Sequence, residues 1–289
     1  MKKIKIFVDT AADMSEELRK EYDIDIINFL SVFDGESYVA GEELSNEAFY
    51  KKLAESEKIP TTSQTPPAVM YETLLNASKD ADSVVYFTIS SKASGQYGNA
   101  KMNAEIVLEE NPDADIRIVD SQTFSIYIGE AAIRLRTLLN DGVELDEAIP
   151  KALEVNDEYE AYLLVDTLKY LEKGGRITKT AAIVGGILDI KPVLSVRNGL
   201  IEPIEKLRGK KKLHQKLVEL MQENPEFDAD AKEFFVVDSD KESGDKLEEV
   251  LCEEFDIPSV KRRYSFGPIV GTHTGSGAVA VVFKKKGKI

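Results

Sequence analysis

The segment Val84–Ala100, VVYFTISSKASGQYGNA, limits the possible folds more than any other stretch of this chain. Val84-Val85-Tyr86-Phe87 is an apolar, β-branched and aromatic run that reads as a buried strand, and from Gln96 the pattern turns helical. Between them, Thr88-Ile89-Ser90-Ser91-Lys92-Ala93-Ser94-Gly95 is a hydroxyl-rich crossover that ends in glycine where the helix opens. The first N–H groups of a helix lack intrahelical partners, and the helix dipole favours negative charge there. In an open α/β sheet such a junction sits at the carboxyl end of a strand, where ligands usually bind. Two readings stay open: a small anionic group held by hydroxyls and amides, or an ordinary serine capping its own helix.

The same alternation runs through the first half. Ile4–Val8 reads as a strand, and Ser15 caps Glu16-Glu17-Leu18-Arg19-Lys20, acids first and cations last as the dipole prefers. Ile24–Leu30 is a second expected strand, followed by a hairpin at Asp34-Gly35 and a helix over Asn46–Glu55 opened by Ser45. Strands at Ser83–Thr88 and Ile116–Val119, with helices at Gln96–Glu110 and Ser125–Asn140, imply βαβ units.

The second half has another rhythm. Strands are expected at Tyr159–Val165, Lys191–Val196, Leu200–Leu207, Glu233–Asp238, Val260–Tyr264 and Ala278–Phe283. Helices are expected at Leu168–Lys173, Thr180–Leu188, Lys211–Glu223 and Lys241–Glu254, and Asn198-Gly199 marks a hairpin. The expectation is an α/β fold of two domains. Residues 1–157 form a three-layer α/β/α unit on a mostly parallel sheet, and residues 158–289 form an α/β unit on a mixed sheet.

A formal charge of −15 argues against nucleic acid or an anionic membrane as the main partner. No run approaches the roughly 18 apolar residues of a membrane span. The opening Met1-Lys2-Lys3-Ile4-Lys5-Ile6-Phe7-Val8-Asp9 is too short in its apolar part for a signal peptide, so the cytoplasm is the expected location. One cysteine, Cys252, excludes an internal disulfide framework, and two histidines exclude a multi-histidine metal site. His214 lies on a lysine-rich amphipathic helix and is expected at the surface.

Three further clusters carry candidate chemistry. Ile59-Pro60-Thr61-Thr62-Ser63-Gln64-Thr65-Pro66-Pro67 starts extended, and its last proline suits a helix start, which places Thr62 and Ser63 beside another helix N-terminus, either as ligand-binding hydroxyls or as part of an ordinary capped loop. Lys173-Gly174-Gly175-Arg176 sets an arginine after paired glycines, either turned inward toward a carboxylate or phosphate or standing as a surface residue after a helix C-cap. The glycine-rich run Phe266–Gly277 carries His273. Gly275-Ser276-Gly277-Ala278-Val279-Ala280 formally fits a dinucleotide fingerprint but leads into a strand rather than a helix, and is rejected.

Together these clusters resemble the DegV family of bacterial fatty-acid-binding proteins, over nearly the whole chain. Asp9-Thr10-Ala11-Ala12-Asp13 is similar to the family's D-[ST]-x-[AC]-D opening, and Thr62-Ser63-Gln64-Thr65-Pro66 to its T-S-Q-P segment with Thr65 inserted. Ser90-Ser91-Lys92-Ala93-Ser94-Gly95-Gln96-Tyr97 resembles S-S-x-[LI]-S-G-T-Y, with departures at Ala93 and Gln96. Val119-Asp120-Ser121, Leu171–Ile177, Lys191–Leu194, Lys206-Leu207-Arg208 and Gly267-Pro268-x-x-Gly271-x-His273 complete the set. Each motif is weak by itself; eight in order are specific.

The resemblance implies one long-chain fatty acid held between two domains. Thr62 and Ser94 would bond its carboxylate with Ser63 and the Gly95 amide nearby, while His273 and Arg176 would orient the head-group site. Arg208, Lys210 and Lys211 would lie near the mouth or at a partner surface. It further implies a lipid-binding subunit with no catalysis, cofactor or metal of its own. A separate ATP-using fatty acid kinase subunit would phosphorylate the bound acid for phospholipid synthesis, without integral membrane association. Burial of an acyl chain contributes about 0.8 kcal/mol per methylene, and the buried carboxylate then needs hydrogen-bond donors. The competing reading is a hydrolase using Ser94 or Ser63 with His273 and Asp120.

Overall fold

The computed structural model describes residues 2–177, 190–208 and 212–287. The expected helix Thr180–Leu188 and residues Lys210 and Lys211 lie outside them.

Strands Ile24–Ile27, Ile4–Asp9, Ser83–Thr88 and Ile116–Asp120 lie side by side in that order, all parallel. Both faces of this sheet are covered, which a parallel sheet requires. Phe7, Val84 and Tyr86 pack under helices Pro67–Asp80 and Gln96–Glu110, while Ile6, Val8, Val85 and Phe87 face helix Ile126–Asn140. The alternation is the period of two of a strand between two helical layers. This is the three-layer arrangement the sequence implies.

The second sheet runs Leu200–Arg208, Ile190–Arg197, Tyr159–Leu164, Val279–Lys284, Phe234–Asp238, Arg262–Ser265. Its pairs are antiparallel except the last, which is parallel, so the sheet is mixed as expected. Tyr162, Phe234, Val236, Val281 and Phe283 pack under helices Leu213–Gln222 and Lys241–Phe255. The opposite face, with Ala161, Phe235, Val237, Ala280 and Val282, shares one apolar cluster with helix Ile126–Asn140. That helix therefore lies between the two sheets.

Two expectations need correction. Ile24–Leu30 is not one strand: the first sheet ends at Ile27, and the chain restarts at Leu30 in a separate antiparallel sheet with Glu36–Val39 and Thr61–Ser63. The crossing at Asn28 is fixed by hydroxyls. The Phe29 N–H donates to Thr10 Oγ1 at 3.1 Å, and Thr65 Oγ1 donates to the Asn28 carbonyl at 2.8 Å. His214 is half-buried rather than at the surface, with Nε2 2.9 Å from Ser243 Oγ. Desolvation, with Lys246 nearby, lowers its pKa.

Candidate functional site

The Ser90–Gly95 loop is fixed from three sides. Ser90 is fully buried and its hydroxyl donates to the Gly199 carbonyl at 2.8 Å. Asp120 Oδ1 accepts from the Ser91 and Gln122 N–H groups at 3.0 Å each. Arg176 Nε donates to the Ala93 carbonyl at 3.2 Å, and its Nη1 donates to the Gly174 carbonyl. Arg176 therefore ties the loop to the turn that follows helix Lys169–Gly174.

Ser94 Oγ accepts from the Gln96 N–H at 3.2 Å, as a capping hydroxyl does, and among the described residues its own proton meets no acceptor. One lone pair of the hydroxyl thus serves the start of the helix. Gly95 is exposed at the helix N-cap, and a Cβ there would come within 3.0 Å of Gln64 Oε1. Loop 61–67 is joined to the same place by Gln96. Its Nε2 donates to Thr65 Oγ1 at 2.7 Å and to the Tyr86 hydroxyl at 2.8 Å, while its Oε1 accepts from the Thr65 N–H at 3.1 Å.

Thr62 lies on the short strand Thr61–Ser63, with Oγ1 3.2 Å from His273 Nε2. His273 belongs to helix Pro268–Thr274, which begins with proline and whose Gly271 lets it close on Phe49 and Tyr50: a Cβ at Gly271 would fall 2.7 Å from either side chain. Among the described residues His273 Nδ1, buried against the Gly174 backbone, has no hydrogen-bond partner. An unpaired N–H costs more there than an unpaired lone pair, so the network assigns the proton to Nε2. His273 then donates to Thr62 Oγ1, and among the described residues the Thr62 O–H meets no acceptor. Burial first, and the Arg176 cation second, lower the imidazole pKa to about 4, so the ring is neutral at pH 7.

The structure brings together Thr62, Ser94, Gly95, Arg176 and His273. Ser63 is exposed, with its hydroxyl donating to the Gln64 carbonyl at 3.4 Å. Arg208 is exposed at the end of its strand, away from this cluster. Among the described residues Asp120 is engaged by loop amides and His273 Nδ1 bonds no carboxylate, so they do not form the triad with Ser94 or Ser63.

Beside Arg176 is a groove of ≈ 400 Å³ lined by Ala93, Phe124, Arg176, Ile177 and Ile201 among others. Phe124 and Ile201 also line an apolar cavity of ≈ 60 Å³ between helix Ile126–Asn140 and the second sheet, which Leu163, Val237, Ala280 and Val282 complete. These wall residues were not singled out in the sequence. They come from five distant segments, and each reads only as core.

Asp9 and Asp13 were quoted as a motif without a role, and they fix the site's frame. Asp9 accepts from the Ile89 N–H at 2.7 Å, just before the serine loop. Asp13 accepts from the Gly267 N–H at 2.8 Å and from the Ser125 hydroxyl, at the starts of the helices bearing His273 and facing the cavity. Burial raises both carboxyls to about 7.

Among the described residues no group of three or more His, Cys, Asp or Glu could hold a metal, and no helix is long and apolar enough to cross a membrane.

A family model described as an uncharacterised protein of the DegV family matches residues 3–286. A DegV domain-containing protein of Clostridium perfringens is 33% identical over 290 residues, covering 98% of each chain. The crystal structure of DegV from Bacillus subtilis, described as a fatty acid binding protein, superposes with TM-score 0.83 at 28% identity, covering 99% of this chain and 100% of that one. A stearic-acid-binding protein from Eubacterium ventriosum superposes with TM-score 0.87 at 26% identity, covering 98% of each.

Proposed function

The chain belongs to the DegV family, and on that premise we propose that it binds one long-chain fatty acid and presents the carboxylate to an ATP-using kinase subunit. The observation that carries the reading is the adjacency of unused donors and apolar space. The Ser94 hydroxyl and the helix N-terminus at Gly95, with Thr62 tied to the same place, directly follow Ala93, which lines the Arg176 groove, and that groove shares Phe124 and Ile201 with the apolar cavity. The relatives with bound or named fatty acids support the ligand class. We read residues 1–157 and 158–289 as the two lobes, with the acyl chain between helix Ile126–Asn140 and the second sheet.

Neutral donors suit the chemistry. A buried carboxylate needs compensation, and hydroxyls and amides provide it without neutralising the oxygens that must attack a phosphoryl group. His273 acts as a fixed neutral donor to Thr62 rather than as a base, since its proton affinity is depressed. Arg176 holds the loop and supplies positive potential. The kinase subunit would approach the head-group side, and since it uses ATP the pair would work in the cytoplasm; exposed Arg208, at the far end of the hairpin that carries Ile201, would lie at a separate part of the partner surface.

The test is direct. Organic extracts of purified protein should release fatty acid on mass spectrometry, and delipidated protein should gain thermal stability on adding it, as RT ln(1 + [L]/Kd) requires. Ser94→Ala removes one hydrogen bond to a charged group, worth about 1.5–3 kcal/mol, so affinity should fall roughly 10- to 100-fold. Acyl phosphate formation with a kinase subunit should fall with it. Protein that releases no acyl species and is not stabilised by fatty acid overturns the reading.

A further inference from the structure

We infer that Tyr127 is the stop that sets how long an acyl chain this protein accepts. The inference rests on the reading of the cavity given above and adds which end of it measures the ligand. The cavity has two neighbours. Phe124 and Ile201 belong also to the Arg176 groove, on the head-group side. Tyr127 and Val196 belong also to a second groove, of ≈ 820 Å³. Tyr127 is 6% exposed and lines both the apolar space and that groove.

Beyond the ring the lining changes character. The second groove contains Asn156, Glu160, Arg197 and Asn224. Glu160 accepts from Asn224 Nδ2 at 2.8 Å and from Ser195 Oγ at 3.3 Å, with Arg197 Nη2 at 3.6 Å. A methyl terminus pushed past Tyr127 would meet these charged and amide groups and the water that solvates them. Each methylene held in the cavity raises affinity roughly fourfold; each one beyond the ring gains nothing.

The ring is held where a stop must be. Tyr127 is the second residue of helix Ile126–Asn140, and the residue before the helix, Ser125, has φ 53° and ψ −134° with its hydroxyl donating to Asp13. That bond fixes the angle at which the helix enters, and with it the ring.

Dissociation constants for saturated fatty acids of fourteen to twenty-two carbons test this on delipidated protein. Wild-type affinity should climb with length and then level off at one chain length. In Tyr127→Ala and Tyr127→Leu the levelling should move out by two or more carbons. The first acid past the wild-type limit should then bind at least tenfold tighter, while Tyr127→Phe should keep the wild-type limit. The leucine variant keeps most of the buried volume and decides the matter if the alanine variant does not fold. An unchanged length limit in a variant that melts cooperatively and still binds fatty acid overturns the inference and leaves the proposed function standing. A wild-type protein that binds no fatty acid of any length removes the reading of the cavity itself.

Discussion

The imidazole of His273 bonds through one nitrogen and is buried at the other, so its tautomer and its orientation are decided by what lies behind Nδ1. What lies there is Gly174, where a Cβ would come 2.3 Å from Nδ1. Gly174→Ala must displace the ring and, with it, the donor that holds Thr62 Oγ1. We expect fatty acid affinity to fall roughly 10- to 100-fold, the worth of about 1.5–3 kcal/mol in head-group bonding. Titration calorimetry of the delipidated variant checks this, and wild-type affinity would show that the ring does not serve the head group. At this scale the sequence was legible where a motif named the residue and silent on its partner. Thr65 and Gln96 stood out only as departures from the family pattern; in the structure they bond each other through two hydrogen bonds and stitch the Thr62 and Ser94 segments together. Two compensating departures 31 positions apart carry no local signature.

Among elements, the hairpin Ile190–Arg208 forms the edge of the second sheet. Its backbone pairs with the neighbouring strand at Leu163–Leu194 and Leu164–Val193 and takes the Val165 N–H on the Pro192 carbonyl, and its tip leans on the serine loop of the other half. Ser90 Oγ reaches the Gly199 carbonyl at 2.8 Å, and Lys92 Nζ reaches the Asn198 carbonyl at 2.7 Å. Gly199 has φ +74°, and a Cβ on it would meet Ser90 Oγ at 2.6 Å. Gly199→Ala therefore suffers both backbone strain and a clash, and should cost about 1–3 kcal/mol. Amide exchange should accelerate within 190–208 more than in the parallel sheet; uniform acceleration would mean that the hairpin is not separately seated. The Asn-Gly signature made this hairpin visible in the sequence, because a two-residue turn demands those residues. By contrast the break in Ile24–Leu30 was not visible. An apolar run records burial but not which sheet buries it, and the hydroxyls that turn the chain, Thr10 and Thr65, lie elsewhere. Helix Pro268–Thr274 was hidden for a related reason. Gly271 serves close packing against Phe49 and Tyr50 there rather than a turn.

Over the whole molecule, Asp13 joins the parts that matter to the site. It takes the Ser125 hydroxyl and the Gly267 N–H, and burial raises its carboxyl from the ordinary 3.8 to about 7, with the Asp9 charge adding to the rise. A raised pKa means that the folded protein holds this proton more tightly than the unfolded chain. Its contribution to stability is complete below about pH 4 and is lost as pH rises through about 7. His273 runs the other way, since its depressed pKa contributes above about 6.5 and fails as pH falls toward 4. Asp13→Asn separates the two. Asparagine is isosteric, can accept from Gly267 through Oδ1 and donate to Ser125 through Nδ2, and tolerates the φ of 54° at this position. Because His273 is common to both proteins, it cancels in their difference. The stability of the variant relative to wild type should therefore increase between pH 5 and pH 8. With each pKa unit worth about 1.4 kcal/mol, the change should reach about 1–4 kcal/mol, several degrees of melting temperature. Parallel melting curves across that range would mean that Asp13 titrates alike folded and unfolded. The charge at the junction of the serine loop, the cavity helix and the His273 helix would then have no bearing on how the molecule holds together.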